Sequence, residues 1–163
     1  MIRIFNFALL MTLMAFSNSA RADHFAIELE VKGPKASHTA KTETAGLGVK
    51  PKPRAVLEMQ AGDQVTVKWT LASTSSKDTI KDVLVHFYAV KISKAGDPPP
   101  PKLDKDVLLE TALTMDFKPK DKTEAELSFT IDTPGSYLLR LETRDSAGTE
   151  GHEHYAALDV IVK

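Results

Sequence analysis

The chain contains no cysteine among its 163 residues. Disulfide cross-links, thiolate metal sites and a cysteine nucleophile are therefore excluded. The sequence also lacks a G-x-S-x-G motif, an H-E-x-x-H motif and a glycine-rich phosphate-binding loop. These absences favour a protein that acts by binding, and we expect no enzymatic activity. Its stability must come from buried apolar side chains or from a bound ligand.

Neither sign of charge is in large excess. The 21 lysine and arginine residues stand against 22 aspartate and glutamate residues, for a formal net charge of −1. A protein that binds nucleic acid usually carries a concentrated basic surface, because it must neutralise phosphates. The composition therefore gives no indication of a nucleic-acid partner.

Long apolar runs are missing except near the N-terminus, where one extends from Ile4 to Phe16. Arg3 precedes this run and small residues follow it, ending in Ala20-Arg21-Ala22, which is the order found in a secretory signal peptide. The run is also shorter than the ~20 residues that a membrane span needs. We therefore expect residues 1–22 to be a cleaved signal peptide and the product to be secreted or periplasmic, with no membrane span after cleavage.

Alternation of apolar and polar residues predicts eight short strands in the single domain formed by residues 23–163. The predicted strands are Phe25–Val31, Arg54–Met59, Gln64–Ala72, Asp82–Ile92, Val107–Phe117, Glu124–Ile131, Tyr137–Leu141 and Ala156–Val162. Residues 33–53 are rich in lysine and poor in large apolar side chains, which predicts a mobile basic loop. Residues 93–106 include Pro98–Pro101 and are interpreted as a stiff, Pro-rich connection between sheets.

The stretch Asp132-Thr-Pro-Gly-Ser-Tyr137 resembles the corner before the sixth strand of immunoglobulin-like domains, where a tyrosine hydroxyl bonds to nearby backbone. Leu139 stands where an antibody domain has a cysteine. Together with Asp145-x-x-Gly148, the pattern is similar to the disulfide-free modules of exported bacterial proteins, including the polycystic-kidney-disease type. The resemblance implies an all-β fold, an immunoglobulin-like antiparallel β-sandwich of about seven to eight strands, and implies nothing about activity.

The predicted strand Asp82–Ile92 is apolar on both faces. Val83, Val85, Phe87 and Ala89 share one face, which we assign to the core, while the other face consists of Leu84, His86, Tyr88, Val90 and Ile92. An apolar second face indicates either cover by a neighbouring loop or contact with a partner. The first functional hypothesis is a binding module that contacts another exported protein through Leu84, Tyr88, Val90 and Ile92.

The second functional hypothesis concerns histidine. His152 and His154 are two residues apart, so in extended backbone they share one face with Cα atoms roughly 7 Å apart. By analogy with the immunoglobulin-like topology, His24 and His86 would gather at the same end, and a mature N-terminus at Asp23 would add an amine. This nitrogen-rich set favours copper over zinc. Asp145, Glu150 and Glu153 offer an alternative Ca²⁺ set without the EF-hand spacing.

Overall fold

Ten β-strands make up the part of the chain that the computed structural model describes, which is residues 24–44, 52–144 and 154–163. The strands are β1 Phe25–Lys32, β2 Ser37–Lys41, β3 Glu43–Thr44, β4 Val56–Met59, β5 Gln64–Ser73, β6 Ile80–Ile92, β7 Val107–Phe117, β8 Lys122–Thr130, β9 Gly135–Arg144 and β10 His154–Val162. Among these residues no helix is long and apolar enough to cross a bilayer. The predicted signal peptide, residues 1–22, lies outside the described ranges.

The strands form two sheets. The first sheet has the order β2-β1-β5-β8, and the second has the order β3-β10-β9-β6-β7 with β4 also paired to β10. All pairs are antiparallel except β4 with β10. The order β1-β5-β8 opposite β7-β6-β9-β10 is that of an immunoglobulin-like sandwich whose second sheet carries one additional strand. The prediction of an all-β, immunoglobulin-like sandwich is confirmed, but the described residues form ten strands, whereas seven to eight were predicted.

The core lies between the sheets and is built from alternate side chains of the long strands. On β6 the predicted core face of Val83, Val85, Phe87 and Ala89 is buried. Trp69 of β5 stacks on Phe87 with ring centroids 5.3 Å apart and an interplanar angle of 14°. Because these two rings project from different sheets, their stacking packs the sheets together at the centre of the sandwich.

The predicted tyrosine corner is present at the start of β9. The Tyr137 hydroxyl donates a hydrogen bond of 2.8 Å to the backbone oxygen of Thr133. Burial raises the pKa of the Tyr137 hydroxyl, because the phenolate would lose its hydration. The hydroxyl therefore stays a donor over the neutral range.

Part of the predicted mobile loop at residues 33–53 is β-structure, because its described residues include β2 and β3, and here the prediction is corrected. Gly33 donates to the backbone oxygen of Ala36 at 2.9 Å, and this turn brings β2 back along β1. Thr42 then accepts a hydrogen bond of 2.6 Å from the Ile27 amide. The sequence does not predict β2 as a strand, because Ala40 is its only half-buried apolar side chain.

The Pro-rich connection also differs from expectation. Residues 93–106 join β6 to β7, which are neighbours in one sheet, so the segment is not a connection between sheets. The Lys91 amide donates to the Asp106 backbone oxygen at 2.9 Å and closes the base of the connection. The segment therefore folds back over the outer face of the second sheet.

Candidate interaction surface

The outer face of the second sheet was the predicted contact surface. Tyr88 and Val90 are buried there, at 4% and 1% exposure. They belong to an outer cluster that also contains Leu138, Tyr155 and Ala157, with Ile92, Leu103 and Val107 packed against it. Leu103 comes from the Pro-rich connection, so the chain covers much of this face itself. Leu84 and Ile92 are half-buried. The structure therefore leaves no continuous exposed surface among the four residues.

Asp159 of β10 holds the covering segments in place. Its carboxylate is 1% exposed and lies 2.8 Å from Arg54 Nε, and its second oxygen accepts a 2.8 Å hydrogen bond from the Gly96 amide. Arg54 Nη2 also donates to the Asp97 backbone oxygen at 2.6 Å. One buried carboxylate thus joins β10, the segment before β4 and the Pro-rich connection. Its charge is balanced by a guanidinium and by a backbone donor.

His86 lies in a second polar group on the same outer face. Its Nδ1 is 3.2 Å from a Glu142 carboxylate oxygen and its Nε2 is 2.9 Å from Glu110. Arg140 Nε donates to the other Glu142 oxygen at 2.8 Å, and its guanidinium lies 3.9 Å from the ring centroid of Tyr155. The group links four adjacent strands, β7, β6, β9 and β10, through ion pairs and ring contacts, which gives it a structural role.

The structure brings together two of the four predicted metal ligands. His154 is 2% exposed, and its Nε2 accepts a 3.4 Å hydrogen bond from the His24 amide. The two imidazole centroids are 6.4 Å apart, while Phe25 approaches the His154 ring at 6.2 Å. His154 therefore packs at the end of the core.

His86 reaches the same end of the second sheet but the opposite face. It pairs with Glu142, whereas His154 pairs with the next residue of β9, Thr143, so their side chains point to different sides. His152 lies outside the described residues, as do Asp145, Glu150 and Glu153. Within the three described ranges, no three His, Asp or Glu side chains are placed to hold a metal ion.

The side of the sandwich bounded by β7 and β8 is open. Both strands end their sheets, so each has one edge without a neighbour among the described strands. Leu113, on the inner face of β7, is 52% exposed, although Val85 opposite it on β6 is only 5% exposed. We call this surface the β7–β8 seam. It consists of the inner-face side chains Leu109, Leu113, Met115, Leu127 and Phe129.

The edge of β7 is less protected against strand addition than the other edges, although it carries the carboxylates Glu110 and Asp116 and has register shifts near both ends of its pairing with β6. The edges on the other side of the molecule are formed by β2, β3 and β4, which are five, two and four residues long. On β8, Lys122 pairs with Glu124 and lowers the pKa of that carboxyl by hydrogen bonding and charge. By contrast β7 is eleven residues long, with no lysine, arginine or proline. Long edges without such protection readily accept another strand.

Sequence reasoning found β7 but did not identify its exposure. The alternation assigns inner and outer faces correctly from Leu109 to Phe117, but it places Val107 on the inner face, whereas the register shift puts Val107 on the outer face opposite Val90. The same alternation occurs in central and edge strands, so it does not report exposure. The available signal was Thr111, a polar residue that interrupts the apolar series on the inner face of β7. The neighbour of a strand depends on the sheet order, which no local pattern reports.

No protein-family model matches the chain, and a comparison with curated proteins gives no match. Among solved structures, the chain is similar to the C-terminal domain of Wzt, with 11% identity, a TM-score of 0.44, and coverage of 83% of this chain and 70% of that one. It is also similar to the CARDB domain of a Pyrococcus furiosus protein in a solution NMR structure, with 12% identity, a TM-score of 0.44, and coverage of 85% and 95%. A crystal structure of that domain in complex with di-metal ions is also similar, with 11% identity, a TM-score of 0.43, and coverage of 85% of this chain and 94% of that one. The fold described above follows from the strand pairing of this chain itself.

Proposed function

We propose that this protein is an exported, non-enzymatic binding module that contacts another polypeptide along the β7–β8 seam. The observation that carries the proposal is the exposure of Leu113, an inner-face leucine that is 52% exposed in a strand of eleven residues. A polypeptide that added a strand to β7 would pair with its unused backbone edge and cover this side chain.

Two features support strand addition over a flat contact. The half-buried seam residues Leu109, Met115, Leu127 and Phe129 already pack against the core, so an added strand would extend that core. The outer face of the same sheet is largely covered by the chain, and among the described residues Leu113 of the seam is the most exposed large apolar side chain. The seam therefore replaces the face of Leu84, Tyr88, Val90 and Ile92 in the binding hypothesis.

The proposal is tested by site-specific photocrosslinking in cells that export the chain. A benzophenone amino acid replaces Leu113 in one variant and Lys68 in the control, because Lys68 is exposed on the outer face of the first sheet. Mass spectrometry then identifies the crosslinked segment. We expect adducts at position 113 that map to one extended segment and are absent at position 68. The same diffuse adducts at both positions, or none at 113, would contradict the proposal.

A second candidate function is binding of Cu(II) or Zn(II) by the histidines near the N-terminus. The observation in its favour is the 6.4 Å separation of the His24 and His154 rings. Binding through His154 Nε2 requires that atom to release the His24 amide. Titration of the exported chain with each metal tests the idea. A His152→Ala/His154→Ala double variant should lose one-equivalent binding, whereas His38→Ala, on β2, should retain it.

A further inference from the structure

We infer that the polypeptide bound at the seam is a second copy of this chain, whose β7 pairs antiparallel with the first β7 around Ala112. The inference rests on the proposed function, because it names the partner of the same site. It follows from three properties of β7, namely its regular segment, its charges and its faces.

The regular part of β7 is centred on Ala112. A shift in the β6–β7 register between Ala89 and Val90 leaves Leu108 without a partner, so β7 runs regularly from Leu109 onward. A bulge of this kind disturbs pairing on the free edge as well. The segment from Leu109 to Met115 is seven residues long, and a two-fold axis through Ala112 pairs all seven with their copies.

In this register no carboxylate of one copy lies opposite a carboxylate of the other copy. The register places Glu110 opposite Thr114 of the second copy, so neither carboxylate on the strand faces another one. A shift by two residues in one direction places Glu110 opposite Asp116 of the second copy, and the symmetry repeats this repulsion. A shift by two in the other direction shortens the regular overlap from seven residues to five.

The same register also matches the inner faces of the two β7 strands. Antiparallel pairing about one residue keeps inner side chains on the inner side. Leu109 then lies opposite Met115 of the second copy, and Leu113 opposite Thr111 of the second copy, so the exposed leucine becomes covered. The contact is isologous and closes after two copies, as most homodimers do. The second sheets of the two copies join into one continuous sheet.

The absence of cysteine makes a direct test possible. In the exported chain, Ala112→Cys places two thiols directly opposite each other, with Cα atoms about 5 Å apart, which a disulfide can span. Thr114→Cys is the matched control on the same face, and its two copies are displaced by four residues, about 13 Å along the strand. With oxidised glutathione we expect Ala112→Cys to form a covalent dimer at least tenfold faster than Thr114→Cys. Equal rates, or a faster Thr114→Cys reaction, would overturn this register.

Two variants of opposite charge at Thr114 provide a second test, because they should change the stability of the dimer in opposite directions. Thr114→Lys creates two attractive pairs with Glu110 of the other copy, whereas Thr114→Glu creates two repulsive pairs. We expect the dimer dissociation constant from sedimentation equilibrium to fall severalfold for Thr114→Lys and to rise severalfold for Thr114→Glu. A chain that stays monomeric at all concentrations, or two variants that shift in the same direction, would overturn the inference.

The photocrosslink at position 113 separates this inference from the proposed function. An adduct with β7 of this chain supports both. An adduct with an extended segment of another protein supports the proposed function and overturns the second copy as partner.

Discussion

Arg54 and Asp159 form an ion pair of 2.8 Å whose side chains are 12% and 1% exposed. The pair lies beneath the Pro-rich connection, and the Gly96 amide donates a hydrogen bond to the second oxygen of the carboxylate. A buried charge that loses its partner keeps the cost of its lost hydration, so such pairs are much more sensitive to truncation than surface pairs. We therefore expect the pair to help keep the outer face of the second sheet covered.

We expect Asp159→Asn to lower the free energy of unfolding by about 3 kcal/mol, because Arg54 would keep its charge in a buried site without a counterion. Urea denaturation of wild type and variant measures the difference. Glu58→Gln is the matched control, since Glu58 of β4 pairs with Lys163 just after β10, but both side chains are more than half exposed. It should change stability by less than about 1 kcal/mol. Equal effects of the two substitutions would contradict the assignment.

Tyr137→Phe removes the hydroxyl that donates to Thr133 and should cost about 1 kcal/mol at neutral pH. Burial raises the pKa of Tyr137 above its ordinary value of 10.0, so the folded state holds this proton more tightly than the unfolded state. That contribution is complete below about pH 10 and is lost as the pH rises through the folded pKa. The stability difference between wild type and Tyr137→Phe should therefore shrink above about pH 10. Urea denaturation at several pH values measures it, and a constant difference would contradict the expectation.

Sequence reasoning was most successful where a local pattern determines the structure. In β1 and β5 the alternating side chains are buried as their periodicity predicts, and Tyr137 makes the bond that its motif predicts. The buried charge of Asp159, on the outer face of β10, was not predicted from the sequence. Its partner Arg54 is 105 residues away, and no local pattern specifies such a pairing.

The site itself could be predicted only in part. Tyr88 and Val90 were correctly placed on an apolar face, but local sequence does not show that Leu103 folds onto it. Likewise His86 and His154 were predicted at one end of the sandwich, while their opposite faces depend on the register of β9 with both neighbours. A register offset of one residue reverses the side on which a side chain lies.

His154→Ala should lower stability whether or not metal is present, because the buried ring packs against Phe25 and accepts the His24 amide. We expect a loss of about 2 kcal/mol, typical of removing a buried, hydrogen-bonded side chain. Thermal unfolding with and without EDTA measures it. The control His38→Ala, in the short edge strand β2, should have little effect. If EDTA lowers wild-type stability to that of His154→Ala, metal binding and not packing would account for this histidine.

The same substitution should destabilise the two faces of the second sheet to very different extents. Val90→Asp places a carboxylate at a position that is 1% exposed, whereas Leu113→Asp places one at a position that is 52% exposed. Because a buried charge without a partner must shed its hydration, we expect Val90→Asp to lower the free energy of unfolding by more than about 3 kcal/mol. Leu113→Asp should lower it by less than about 1 kcal/mol at concentrations where the chain is monomeric. Denaturation midpoints in urea distinguish the two. A stable Val90→Asp variant would mean that the Pro-rich connection opens readily, and the outer face would then return as a surface for contact with a partner.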